Sequence, residues 1–177
     1  KVKVLPSYKT GLVAIDTICL GQDVRFESKS SEKFKQDLWD FGDGKKVTSA
    51  PGKSIVHTYK KGGVYSISLM PTAPIIANQP YCHEKQATKV VTVLDVNAYV
   101  TIDPKSSAPI FHMKNKSTPI NAGFSWDFDY PNAGKNVSTD VNPSHNYGIG
   151  KSNHEICLTA TIPFGCKDKY CKPISSS

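Results

Sequence analysis

Asp37, Asp40 and Asp43 recur at three-residue intervals around one aromatic motif. Hard cations such as calcium take several carboxylate and carbonyl oxygens, so this trio is the candidate metal cluster. No bidentate Glu follows at the spacing of a calcium loop. An Asp between two glycines also bonds readily to its own backbone. Turn-stabilising hydrogen bonds are therefore expected here, and no cofactor. Nucleophilic catalysis needs a base within hydrogen-bond reach and a third group to orient it. His57 has no Ser or Cys partner that its motif explains, and a second His recurs at the matching position 145. A structural role fits that recurrence better than a single active site. Paired carboxylates for glycoside cleavage would need a cleft, which small β modules seldom have. No enzyme is expected. The five cysteines, at 19, 82, 157, 166 and 171, contain no CxxC pair. Zinc is thus disfavoured and disulfides are expected, which places the chain in an oxidising compartment, extracellular or at a cell surface.

Charge narrows the partners. The 22 basic and 15 acidic residues leave a formal net charge of +7. The basic residues are scattered, whereas a nucleic-acid binder concentrates them in a patch, so nucleic acid is not expected. Acidic glycans are the better anionic partner, and most lysines read as solvated strand faces. No run of about 18 apolar residues occurs, so no direct membrane insertion is expected. Lys1 to Pro6 is too short and polar for a signal peptide, and any targeting signal is expected elsewhere in a larger parent chain. Asn115-Lys116-Ser117 and Asn136-Val137-Ser138 are N-glycosylation triplets in a eukaryotic host only.

Many short strands must position these groups. The 12 Gly, 12 Pro and Ser/Thr/Asn stretches punctuate short runs rich in Val, Ile, Tyr and Phe, and no convincing amphipathic helix interrupts them. Val24 and Phe26 point one way, while Tyr65, Ile67 and Leu69 alternate with Ser66 and Ser68, the period of half-buried strands. Sliding the chain against itself by about 87 residues brings Trp39, Asp40 and Phe41 onto Trp126, Asp127 and Phe128. With a residue or two of slack, His57 and Tyr59 fall on His145 and Tyr147. The pattern predicts an all-β chain of two tandem immunoglobulin-like β-sandwich domains, at 7–95 and 96–177. Val2 to Leu5 reads like Val91 to Leu94, so residues 1–6 are expected to end a preceding repeat.

At Trp39-Asp40-Phe41-Gly42-Asp43-Gly44, then His57-Thr58-Tyr59 and Gly62 to Leu69, the chain resembles the polycystic-kidney-disease (PKD) repeat. A second copy keeps Trp126-Asp127-Phe128, Pro143 to Tyr147 and Glu155 to Leu158, but Asp129-Tyr130-Pro131-Asn132 replaces the glycine turn. The resemblance implies sandwiches that fold without a ligand. It makes Trp39 and Phe41 buried aromatics and Gly42-Asp43-Gly44 a tight turn. The tail Ile156 to Ile174 looks like the closing hairpin of PKD repeats in secreted surface proteins of gliding Bacteroidetes-type bacteria. That implies an adhesin, a motility protein or an enzyme's accessory stalk, next to a type IX secretion domain. The expected role is a non-catalytic spacer and interaction module, monomeric, meeting a protein or a surface polysaccharide. The alternative is a carbohydrate-binding accessory domain of a polysaccharide-degrading enzyme, with Tyr81, Tyr130 and Phe164 as candidate glycan contacts. Against it, Tyr81 and Phe164 are expected to pack their own hairpins, because isolated exposed aromatics are ordinary.

The repeat alignment also predicts disulfides. Cys157 takes the place of Ser68, which alternation sets on the outer face, and Cys171 falls at Ala87 on the neighbouring strand, so these two are expected to bridge. In a sandwich the turn after the first strand and the last hairpin lie at opposite ends, a strand length of about 17–20 Å apart. That favours Cys19 with Cys166 over Cys19 with Cys82, and both pairings stay open.

Overall fold

The computed structural model describes residues 7–32, 34–72, 82–83, 86–128, 136–148 and 152–176. Residues 1–6, expected to end a preceding repeat, lie outside it, as do Tyr81 and Tyr130. The chain divides into two compact units, Lys1–Leu94 and Asp95–Ser177.

The first unit runs β1 (Ser7–Tyr8), β2 (Leu12–Val13), β3 (Thr17–Cys19), β4 (Asp23–Ser28), β5 (Asp37–Asp40), β6 (Lys46–Ser49), β7 (Ile55–Thr58), β8 (Gly63–Pro71), β9 (Cys82–His83) and β10 (Ala87–Leu94). One sheet has the order β3-β10-β8-β5-β6 and a second β2-β4-β7, with β1 and β9 as a small parallel pair. Alternation does the sorting. Val24 and Phe26 on β4, Trp39 on β5, Ile67 and Leu69 on β8 and Val91 on β10 are fully buried, while Ser66 and Val90 between them face outward. These side chains form the core between the two sheets, joined by Ile18, Phe41, Tyr59 and Val93.

The second unit runs β11 (Val100–Ile102), β12 (Ile110–Asn115), β13 (Gly123–Asp127), β14 (Val137–Ser138), β15 (Ser144–Asn146), β16 (Ser152–Thr161) and β17 (Lys167–Ser176), with a 3-10 turn at Pro163–Gly165. Its sheets are β11-β12-β15 and β14-β13-β16-β17, seven strands around a core of Val100, Met113, Trp126, Phe128, Ile156 and Leu158. Each unit is an all-β sandwich. Trp39 pairs with Leu69 across strands, and Trp126 with Leu158. No helix among the described residues is long and apolar enough to cross a membrane.

Candidate functional site

The aspartates of the first unit do not assemble. Residues 37 and 40 lie on opposite faces of β5, because side chains alternate along a strand. Asp40 accepts a hydrogen bond from the Gly42 amide at 3.0 Å and pairs with Lys46 at 2.9 Å. Those two contacts, the Gly42 amide first, hold its carboxyl below the usual range. Asp43 takes the Lys45 amide at 3.0 Å on one oxygen and the His57 ring, through Nε2, at 2.7 Å on the other. Burial would raise its pKa, but the Lys45 amide and His57 together outweigh burial and lower it.

Asp37 is fully buried instead. One carboxylate oxygen accepts from the Ser28 hydroxyl at 2.6 Å and the Gly52 amide at 3.3 Å, while the other receives no hydrogen bond from a described residue. Among the described residues, only Glu155, Cys157 and Cys171 bring three ligand-type atoms together, and a disulfide between the two cysteines takes both sulfurs out of thiolate ligation.

Around the Asp43–His57 pair the aromatic residues form one stack. The His57 ring lies flat on Phe41, centroids 4.0 Å apart, and meets the edge of Tyr59 at 4.7 Å. The Tyr59 hydroxyl donates to the Phe41 carbonyl at 3.1 Å, and burial, then Asp43 and Tyr65, push its pKa up. The Gly-Asp-Gly turn needs its glycines: Gly42 has φ +77°, and a Cβ there would come within 2.7 Å of the Ser66 carbonyl oxygen. The second unit repeats the ring order, with Phe128 stacked on His145 at 4.5 Å and His145 edge-on to Tyr147 at 4.5 Å.

Cys157 and Cys171 stand directly opposite each other on β16 and β17 and are bonded, Cα atoms 4.1 Å apart. Cys157 alternates with the core residues Ile156 and Leu158, so its side chain takes the opposite, outer face of β16, and there it is 1% exposed. Its short side chain sits on an interior strand between β13 and β17, and the Glu155 carboxylate lies within 4.8 Å of both sulfurs, which covers it. Cys19 and Cys166 are also in the disulfide-bonded state.

The outward face of β11-β12-β15 holds a groove of about 610 Å³ that no sequence motif announced. The His112 Nδ1 is hydrogen-bonded to the Ser144 hydroxyl at 2.5 Å across the β12–β15 register. Lys114 pairs with Asp103 at 2.8 Å, and with the Lys105 amide it holds that carboxyl below the usual range. Asn142 accepts the Asn115 amide at 2.9 Å, and the Asn115 side chain accepts the Ser117 amide at 2.8 Å. A second hollow of about 360 Å³ shares Asn115, Lys116 and Asn142 and is walled by Ile120, Phe124 and Val141.

Residues 9–93 match the family model of the PKD domain. Those residues lie within the first unit. The chain is also similar to solved structures of fibronectin type III folds. Against the fibronectin(III)-like modules of Clostridium thermocellum CbhA it is 15% identical, covering 93% of this chain and 90% of that one, with a TM-score of 0.35. Against a two-domain fibronectin type III segment of chicken tenascin the identity is 12%, the coverage 93% and 97%, and the TM-score 0.42.

Within the first unit the motif residues Trp39, Phe41 and Tyr59 lie in the core, and Asp40, Gly42, Asp43 and Gly44 build the turn. Sequence reading missed the partner of His57, which is Asp43 from that same turn. Of the candidate glycan contacts, Phe164 stands in the 3-10 turn with φ +68° and 76% exposed. It does not pack its hairpin, because a residue in the left-handed conformation at the tip of a turn has no neighbouring strand to cover it.

Proposed function

We propose that this chain is a non-catalytic extracellular spacer and interaction module of a larger protein. The observation that carries this reading is where the reactive groups go. The first unit's conspicuous chemistry, Asp40, Asp43, His57 and Tyr59, is spent on a turn, a ring stack and a buried hydroxyl bond rather than on a cleft. A disulfide bridging adjacent strands and a PKD-type domain support an oxidising, extracellular setting. We read the second unit as a diverged copy of the first, on the shared Trp-Asp-Phe, the His and Tyr that follow and the same ring order. We further place the parent among secreted surface proteins of the adhesin, gliding-motility or type IX kind, on the closing hairpin, with the pair positioning a head domain or contacting a protein.

A domain exchange in the parent protein tests the spacer role. Deleting residues 7–176 is expected to abolish the parent's surface function, and an unrelated pair of sandwiches of the same length is expected to restore it. Failure of that replacement, with expression and export intact, would show that this pair supplies more than length.

A further inference from the structure

The groove on the second unit is lined mostly by polar side chains, among them the donors of Lys114, Lys116, Asn115 and Asn142. Asn115 and Asn142 each have the carbonyl end of the side chain tied to a backbone amide, so each presents its NH₂ end. The one lining carboxylate, Asp103, is already neutralised by Lys114. Lys116 is exposed and forms no ion pair among the described residues, so it leaves the groove with a net positive charge. Where the polar groove ends, the adjoining hollow turns apolar: Ile120 is 89% exposed and Val141 54%, with Phe124 half-buried beside them. Apolar side chains left this open, directly against a donor-rich cationic surface, match a ligand with both an apolar face and anionic acceptors.

We propose that this groove binds an acidic oligosaccharide, whose carboxylate or sulfate groups meet Lys116 and the two asparagine amides while a pyranose face lies on Ile120 and Phe124. The inference goes beyond the spacer role and does not depend on it. Pyranose rings carry C–H faces that pack on apolar side chains, and their hydroxyl and acid oxygens accept the donors that Asn115, Asn142 and Lys116 hold in place. Hollows of about 610 and 360 Å³ that meet at shared residues fit several linked sugars better than one inorganic anion. Electrostatic attraction between exposed charges is screened by salt, so binding should weaken as ionic strength rises.

The test is titration of the whole chain, made in a bacterium without N-glycosylation so that Asn115 is unmodified, with tetragalacturonate and with neutral tetragalactose, followed by amide NMR shifts. The acidic sugar is expected to bind roughly tenfold more tightly than the neutral one, with shifts concentrated on β12 and residues 115–124. Lys116→Gln and Ile120→Ser, both at exposed side chains, are each expected to weaken it about fivefold or more while leaving the melting curve in place. Lys53→Gln removes the same charge from an exposed position in the first unit and is expected to change nothing. No shift at about 10 mM sugar, equal affinity for the two sugars, or equal weakening by Lys53→Gln would each overturn the proposal, the last by reducing the effect to the overall charge.

Discussion

Each unit holds one tryptophan, and each is fully buried, which makes a single pair of variants a test of the whole core assignment. Trp39→Ala removes a side chain packed edge-on to Phe26, with ring centroids 6.3 Å apart, and a hydrogen bond from Nε1 to the Ser49 hydroxyl at 3.0 Å. Losing a buried Trp to Ala costs about 3–5 kcal/mol through lost transfer energy and the cavity left behind. The hydrogen bond adds little, because Ser49 is only half-buried and still donates to the Ala50 carbonyl. A unit of roughly 90 residues has a total stability of about 5–13 kcal/mol, and each kcal/mol moves the midpoint by about 4–8 °C. The first unit should therefore melt at least about 12 °C lower, or be unfolded at 25 °C. Trp39→Ala leaves Trp126 as the sole indole, so fluorescence then follows the second unit alone while calorimetry follows both. The expected result is an unmoved fluorescence midpoint with a new low-temperature transition in calorimetry. Trp126→Ala should give the converse. An unchanged calorimetric trace would refute the buried placement of Trp39, and a fluorescence midpoint that falls with the first unit would refute independent cores.

Gly42→Ala should destabilise the first unit by about 1–3 kcal/mol, since it meets both a left-handed φ and the Ser66 carbonyl, and a chemical-denaturation midpoint within error of the parent would count against that turn. Asp43 is held below its ordinary pKa, so its contribution is fully present above about pH 4 and is lost as pH falls through the lowered folded value. Asp43→Asn should flatten the acid limb of the stability curve, and an identical acid limb would exclude the His57 pairing. Replacing Cys157 and Cys171 together by Ser opens a loop with a separation of 14 residues, worth about 3 kcal/mol on the chain-entropy account. A drop in the second unit's midpoint of less than a few degrees would argue against it. Peptide mapping without reduction should recover Cys19 linked to Cys166, and a Cys19–Cys82 peptide would show the end-to-end placement of those turns to be wrong.

How far sequence reading reached depends on how local the physics is. The WDFGDG turn was legible because glycine conformations, aspartate-to-amide bonds and buried aromatics all act within six residues. The Cys157–Cys171 bridge needed a register across a hairpin, and there the reading was right in pairing and one residue off in alignment. Leu69 faces Ala87 in the first unit and Leu158 faces Tyr170 in the second, so Tyr170 stands where Ala87 does and Cys171 stands with Thr88. A one-residue slip sends a side chain to the other face of the sheet, and here it touches Cys171 alone, because Cys157 does stand where Ser68 stands. The His57–Asp43 bond spans 14 residues between a turn and a strand, and no motif spacing encodes it.

The groove is less legible still. His112 and Ser144 lie 32 residues apart and Asn115 and Asn142 lie 27 apart, and they meet only because β12 and β15 pair. Taken singly, His112, Asn142 and Ser144 read as ordinary solvated strand or loop positions, and Asn115 reads only as the start of a glycosylation triplet. What gives them a shared character is the bonding of the folded sheet: two amide oxygens and one carboxylate already accept from neighbours, while the asparagine NH₂ groups and Lys116 keep their donors. Bond saturation of that kind is a property of the folded sheet, so a binding surface can be strongly selective in three dimensions while its residues look like filler in one.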